Sequence, residues 1–236
     1  RFGVVGPTAG GVDRGPLFQP LLPPEVVQLS NGIGISDYTV DGVEEAMVRY
    51  RGCIDSLVQQ GAQRTFLAGF PISAQLGRER ALKLYQETQA RTGLPASSDA
   101  EATIESIKHL GVTRIAIASR WAKELNDKLV QYLTEGGLEV LYITSAGQWA
   151  KEAFAMSIEQ GVKLAFQLGR EAMHNAPQAQ GLLMPGGTWR ILAAIPILED
   201  DFDKPVFSNP TALPWRLMHD GVAPPLQGWG RLLEKP

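Results

Sequence analysis

The chain has 236 residues, 44% of them hydrophobic, and a formal net charge of −3. That is ample apolar material for one or two cored domains, and with no run of five like charges it gives no basis for a nucleic-acid or anionic-membrane partner. A single cysteine, Cys53, excludes an internal disulfide and fits a reducing cytosol; no apolar run approaches the ~18 residues of a membrane span, so a cytoplasmic protein is expected. The chain starts at Arg1 rather than Met, so a short leader is expected before it.

In chain order, Phe2–Gly6 reads as a strand that runs into the loop Gly6-Pro7-Thr8-Ala9-Gly10-Gly11. The dinucleotide fingerprint Gly-x-Gly-x-x-Gly is absent there. Prolines 16, 20, 23 and 24 predict loop, and Glu25–Leu29 predicts a second strand. From Asp41 to Gly61 the residues Val43, Ala46, Met47, Tyr50, Cys53, Ile54, Leu57 and Val58 keep helical spacing, which predicts one long helix with Cys53 on its buried stripe. Strand Thr65–Phe70 and the loop Gly69–Ser73 follow, then a helix over about 75–92. Gly93-Leu94-Pro95 breaks the pattern, and Asp99 can cap a helix ending near Leu110. Beyond it come strand Thr113–Ala118, a helix to about Glu135, strand Leu138–Ile143, a loop around Trp149 and a helix to about Asn175. Strand Gly181–Met184 leads into Pro185-Gly186-Gly187, where a helical pattern starts, and Lys204–Asn209 is the last strand, before a short helix near Trp215.

Strands alternating with helices predict parallel sheets covered on both faces. The break near 93–100 splits the pattern into halves of similar plan. The expectation is an α/β protein of two pseudo-symmetric flavodoxin-like domains, 1–98 plus 208–236 and 99–207. Ligands in such sheets bind beyond the carboxyl ends of the strands. Those ends are Pro7-Thr8, Gly69–Ser73, Ser119-Arg120-Trp121, Pro185–Thr188 and Ser208-Asn209, and they meet in one cleft if the halves face each other. The stretch Gly181–Arg190 is the focus. A strand ending in glycines before a helix leaves backbone N–H groups for an anion, though an ordinary βα turn looks the same in sequence.

The opening Gly3-Val4-Val5-Gly6-Pro7, the loop Ala68–Ser73, the strand end Ala116–Trp121 with Leu125-Asn126, Leu182–Gly187, Pro205–Asn209 with Trp215, and the closing Gly228-Trp229-Gly230-Arg231-Leu232 share an order and spacing. In these the chain resembles the aspartate/glutamate racemase superfamily, in its arylmalonate decarboxylase and maleate cis–trans isomerase branch. The resemblance covers nearly the whole length. It implies a cofactor-free active site between two domains, acting on a small carboxylate. Racemases and isomerases of this kind place a cysteine on each side, and the decarboxylase keeps the second. By that resemblance the first position is Gly69 here and the second is Pro185, so both cysteines are expected to be missing. Phe70 and Pro71 fall where the decarboxylase has hydroxyl and backbone donors, Trp121 falls on a family tyrosine, and Tyr38 falls on a pocket-lining apolar position.

Proline neither protonates nor attacks carbon. Catalytic candidates are Tyr38, the Gly186 and Gly187 N–H groups and Thr188, with Asp37 as a further acid. Candidate substrate contacts are Pro7, Thr8, Gly69, Phe70, Pro71, Ser73, Ser119, Arg120, Trp121, Trp149, Pro185 and Asn209. Arg120 is either a carboxylate-binding guanidinium or a solvated strand-end charge. Thr188 and Ser119 read as helix caps before they read as site groups, and Asn209 either orients a carbonyl or locks a turn. Trp121, Trp149, Trp189 and Trp215 with Phe70 would line an aromatic cleft. His109, His174 and His219 lack metal-ligand spacing, so no metal is expected. No Gly-x-Ser-x-Gly elbow is present. The expected function is a cofactor-independent lyase or isomerase working without the family thiol. The alternatives are a hydrolase or hydratase in the same cleft and a non-catalytic small-molecule binder. A monomer or small homo-oligomer is expected.

Overall fold

The structure is a computed structural model, and it describes residues 1–9, 21–149, 152, 155–186, 189 and 191–236. Two four-stranded parallel sheets form its frame. The first runs β2 (Gln28–Gly32), β1 (Phe2–Gly6), β3 (Thr65–Leu67), β4 (Ala96–Ser98). The second runs β6 (Glu139–Gln148), β5 (Arg114–Trp121), β7 (Gly181–Leu183), β8 (Val206–Phe207). Parallel strands need crossovers, and helices supply them on both faces.

Alternation along β1 sends Val4 and Val5 to opposite sides. Val5 joins the core of the helices α1 (Val40–Met47) and α2 (Tyr50–Gln59), with Val43, Ala46, Ile54 and Leu57. Val4 meets Phe2, Phe66 and Ala68, covered by Ala102 of α5 (Asp99–His109) and by Ala212, Leu213 and Leu217 of α9 (Asn209–His219). The last long helix of the chain therefore packs on the first sheet.

The remaining helices are α3 (Phe70–Leu76), α4 (Arg78–Thr92), α6 (Lys123–Glu135), α7 (Ile158–Asn175), α8 (Ile195–Phe202) and α10 (Arg231–Glu234). Ser157 and Gln160 close α7 with a reciprocal capping box.

Several elements differ from the sequence expectation. The long helix over 41–61 is two helices, because Arg49 N–H bonds the carbonyl of Ala46 only three residues back. The Arg49 guanidinium turns instead to the carbonyls of Ile33 and Gly34. The second strand lies at 28–32 rather than 25–29, and the loop expected at 70–73 is helix α3, which Gly77 at φ 77° separates from α4. Strand β4 was not expected, and β6 continues to Gln148 through the stretch read as loop. Ser98, not Asp99, caps α5 by accepting from Glu101 N–H at 3.1 Å.

Candidate active site

The ends of β1 and β3 meet at Pro7 and Gly69, and those of β5, β7 and β8 meet at Arg120, Gly186 and Asn209. Gly69 ends β3 with φ 110°, a backbone conformation that a side chain strains. Its N–H donates to the buried Asp99 carboxylate at 2.9 Å, so the residue that does not cap α5 pins this turn. A side chain built on Gly69 would lie 3.8 Å from Pro7 Cδ, which places the ends of β1 and β3 together. Phe70 and Pro71 open α3, where proline's missing N–H is one that helix geometry leaves unused anyway. Phe70 is buried edge-on against Tyr132 of α6, ring centres 5.8 Å apart, and so joins the two halves. Ser73, fully buried, shares a hydrogen bond with Tyr85 Oη at 3.2 Å, and burial raises that phenol's pKa.

In the second half, Arg120 ends β5 at 2% exposure, so the solvated strand-end reading does not hold. Burial pulls its pKa down to about 10, and Tyr38, brought near from the first half, favours the charge. Tyr38 is itself buried, and its carbonyl accepts from Gln75 Nε2 at 2.6 Å. Ser119 is committed internally: its hydroxyl donates to Asn126 Oδ1 at 2.7 Å and accepts from Trp121 N–H at 3.1 Å. Asn126 Nδ2 in turn donates to the Trp121 carbonyl at 2.8 Å, so Asn126 holds the strand end in place.

Pro185 and Gly186 follow β7 and are buried. Gly186 has φ 122°, and a Cβ there would meet Trp121 Cζ2 at 3.5 Å and Arg120 Nε at 3.9 Å. The turn thus sits directly against the buried cation. Its N–H donates to Asn209 Oδ1 at 3.0 Å, so this donor, expected to face an anion, is held by a side chain from the end of β8. Gly187 and Thr188, both expected at the site, lie outside the described residues. Thr8 is half-buried just beyond β1. Trp149 is half-buried beyond β6, its N–H on Glu152 at 3.1 Å, with no described contact to the turn at Gly186.

The tryptophans divide by place. Trp121 stands at Gly186. Trp189 is packed in the core with Leu168, Met184 and Ile191. Trp215 stacks on His219 at 5.1 Å and meets His109 at 5.5 Å, on the α5–α9 face. Of the aromatic residues expected in the cleft, Trp121 is the one placed against the Gly186 turn among the described contacts, while Phe70 packs on Tyr132. Cys53 lies in α2, its Sγ donating to the Gly32 carbonyl at 3.5 Å, with burial raising the thiol's pKa. Among the described residues no cluster of three histidine, cysteine or acidic groups could hold a metal, and no helix is long and apolar enough to cross a membrane.

Asp99, Asn126 and Gln75 are the site residues missed by sequence reasoning. Asp99 fits a helix cap in sequence, Asn126 stands out only within a shared motif, and nothing around Gln75 marks it.

Residues 2–233 match the family model described as arylmalonate decarboxylase. The chain belongs to the arylmalonate decarboxylase family. It is 27% identical to the arylmalonate decarboxylase of Bordetella bronchiseptica over 236 residues, 99% of this chain and 96% of that one. A double mutant of arylmalonate decarboxylase in a liganded form superimposes with a TM-score of 0.90 at 27% identity, covering 100% of this chain and 99% of that one. A mutant Nocardia farcinica maleate cis–trans isomerase, carrying a covalently bound succinylcysteine intermediate, shares the fold with a TM-score of 0.86 at 19% identity, covering 100% and 98%. Family membership supports an enzyme of the decarboxylase and isomerase kind.

Proposed function

We propose that the protein is a cofactor-independent lyase or isomerase that acts on a small, partly apolar or aromatic carboxylate through an anionic intermediate, without thiol chemistry. The observation that carries this is the buried Arg120 against the Gly186 turn, with the Trp121 ring beside it. A guanidinium in a site with little water holds a carboxylate far more firmly than it would on the surface. Loss of CO2 from a malonate leaves the C–C electron pair delocalised into the remaining carboxylate as an enediolate. A proton must then reach that carbon. The sole cysteine is in α2 on the Gly32 carbonyl, so we assign the proton to Tyr38. Its phenolate would be stabilised beside Arg120 and would recover its proton from water. We include in the proposal the domain division 1–98 with 208–236 and 99–207; the packing of α9 on the first sheet supports its later boundary, while Ala102 of α5 packs on that same face.

The test is turnover on phenylmalonate and maleate, followed by CO2 release and by proton NMR of the product. Formation of phenylacetate or fumarate is the expected result. Cys53→Ala should leave that activity within a few-fold of the native chain. Complete loss in this variant, with the fold intact, would sink the thiol-free reading. Binding without turnover on every substrate would favour a non-catalytic binder instead.

A further inference from the structure

Asn209 carries a donor that its lock to Gly186 does not use. The residue is 1% exposed and sits at the start of α9, beyond the end of β8. An amide side chain has one accepting oxygen and one donating nitrogen, and the two are told apart by their partners. Gly186 N–H is a donor, so the atom facing it, 3.0 Å away, must be Oδ1. The flip state of the amide is thereby fixed. Nδ2 is buried, with no hydrogen-bond partner among the described residues. A buried amide donor left unmade costs about 1–3 kcal/mol, so Nδ2 calls for a partner. Gly186 touches both groups: its N–H meets Asn209 Oδ1 at 3.0 Å, and a Cβ built on it would lie 3.9 Å from Arg120 Nε.

We infer that Asn209 Nδ2 is a substrate-binding donor that reads a carbonyl or carboxylate oxygen beside Arg120, while Oδ1 holds the Gly186 turn. The inference rests on the reading of this cleft as a carboxylate site. Because the amide cannot turn over without losing Gly186, it is a one-way reader: it accepts ligands that offer an oxygen at that point.

The experiment titrates the full-length protein with phenylacetate and with its neutral methyl ester, observing the assigned Asn209 side-chain amide by 1H–15N NMR. Both Nδ2 protons should respond, and the hydrogen-bonded one should move downfield with each ligand. Asn209→Asp keeps an acceptor for Gly186 N–H and removes the donor. It should fold with a melting temperature close to native, bind phenylacetate about tenfold or more weakly, and bind the ester a few-fold more weakly. A simple charge effect would spare the ester, so unchanged ester affinity in the variant overturns the inference. An Asn209 amide that stays unmoved while phenylacetate binds also overturns it and leaves the proposed function standing. Native protein that binds neither ligand overturns both.

Discussion

At Gly186 a backbone angle, a cation and a side-chain lock meet within a few ångströms. Gly186→Ala has room for its methyl group, 3.5 Å from Trp121, but φ 122° strains any residue with a Cβ. The variant should lose about 1–3 kcal/mol of stability and most of its turnover, read by urea unfolding and by the phenylmalonate assay. Native stability would show that the turn relaxes freely. Arg120 carries the pH prediction. Burial lowers its pKa from the ordinary guanidinium range to about 10, so in the folded protein the proton leaves first. Between about 10 and that ordinary range the unfolded chain holds more protons, so this group makes stability rise with pH there. Carboxylate binding runs the opposite way: it needs the charge and should fade as pH climbs past about 10. Phenylacetate affinity measured between about pH 8 and about pH 11 should show that decline in the native protein, and Arg120→Met should bind weakly throughout, without the step. A flat native profile would remove Arg120 from the site. Much of this residue scale was hidden in sequence. Pro185-Gly186-Gly187 announced a turn, because proline and glycine have few other uses there. The bond to Asn209 spans 23 positions and joins neighbouring strands, so local pattern does not contain it. Arg120 at a strand end reads the same whether it faces water or the interior.

Among the elements, the long periodic ones were legible and the short ones were not. Burial of a helix face leaves a repeating mark over many residues, whereas β4 has three residues and β8 has two, too few to show a period. The break between α1 and α2 left the apolar stripe continuous, and the bonds of the Arg49 side chain there go to carbonyls distant in sequence. Helix α3 was signalled by Pro71 in its first turn, a signal outweighed by the flanking glycine. One cluster holds several elements at once. Arg78 of α4 makes a two-pronged pair with Glu101 of α5, at 3.0 and 2.9 Å, and also donates to the Glu135 carbonyl at the end of α6. Glu101 is 5% exposed, so removing its partner strands a buried charge. Arg78→Leu should therefore destabilise by about 2 kcal/mol, below the ~3–5 of a fully buried pair because the Arg78 side chain keeps 25% exposure. Thermal unfolding measures it, and Glu101→Gln added to Arg78→Leu should recover part of the loss by removing the stranded charge. A double variant no better than the single would mean that the Glu135 carbonyl, left without its donor, matters more.

For the whole molecule the alternation of strands and helices was enough to fix the architecture, because parallel sheets leave few ways to cover both faces. How the halves join was not legible. A chain of this length with two sheets would ordinarily be expected to unfold in two steps, each sheet with its own helices. The core argues otherwise. A single apolar cluster runs from Val5 and Leu67 of the first sheet through Phe70, Tyr132 and Trp121 to Ile117, Leu183 and Phe207 of the second. Helix α9, which follows the last strand of the second sheet, covers the first, so the chain ties the two halves together at that point. We expect one cooperative transition, with far-UV circular dichroism and tryptophan fluorescence tracing the same urea curve. Trp121 and Trp189 report the second half and Trp215 of α9 reports the first, whereas dichroism weighs the helices of both, so separate melting would show as two steps of different weight in the two curves. Phe70→Ala removes the ring that joins α3 to α6 and should cost about 3–5 kcal/mol. If the seam is what makes the two sheets one unit, that variant is also where the two curves first come apart. Curves that stay coincident in Phe70→Ala would move the coupling to α9.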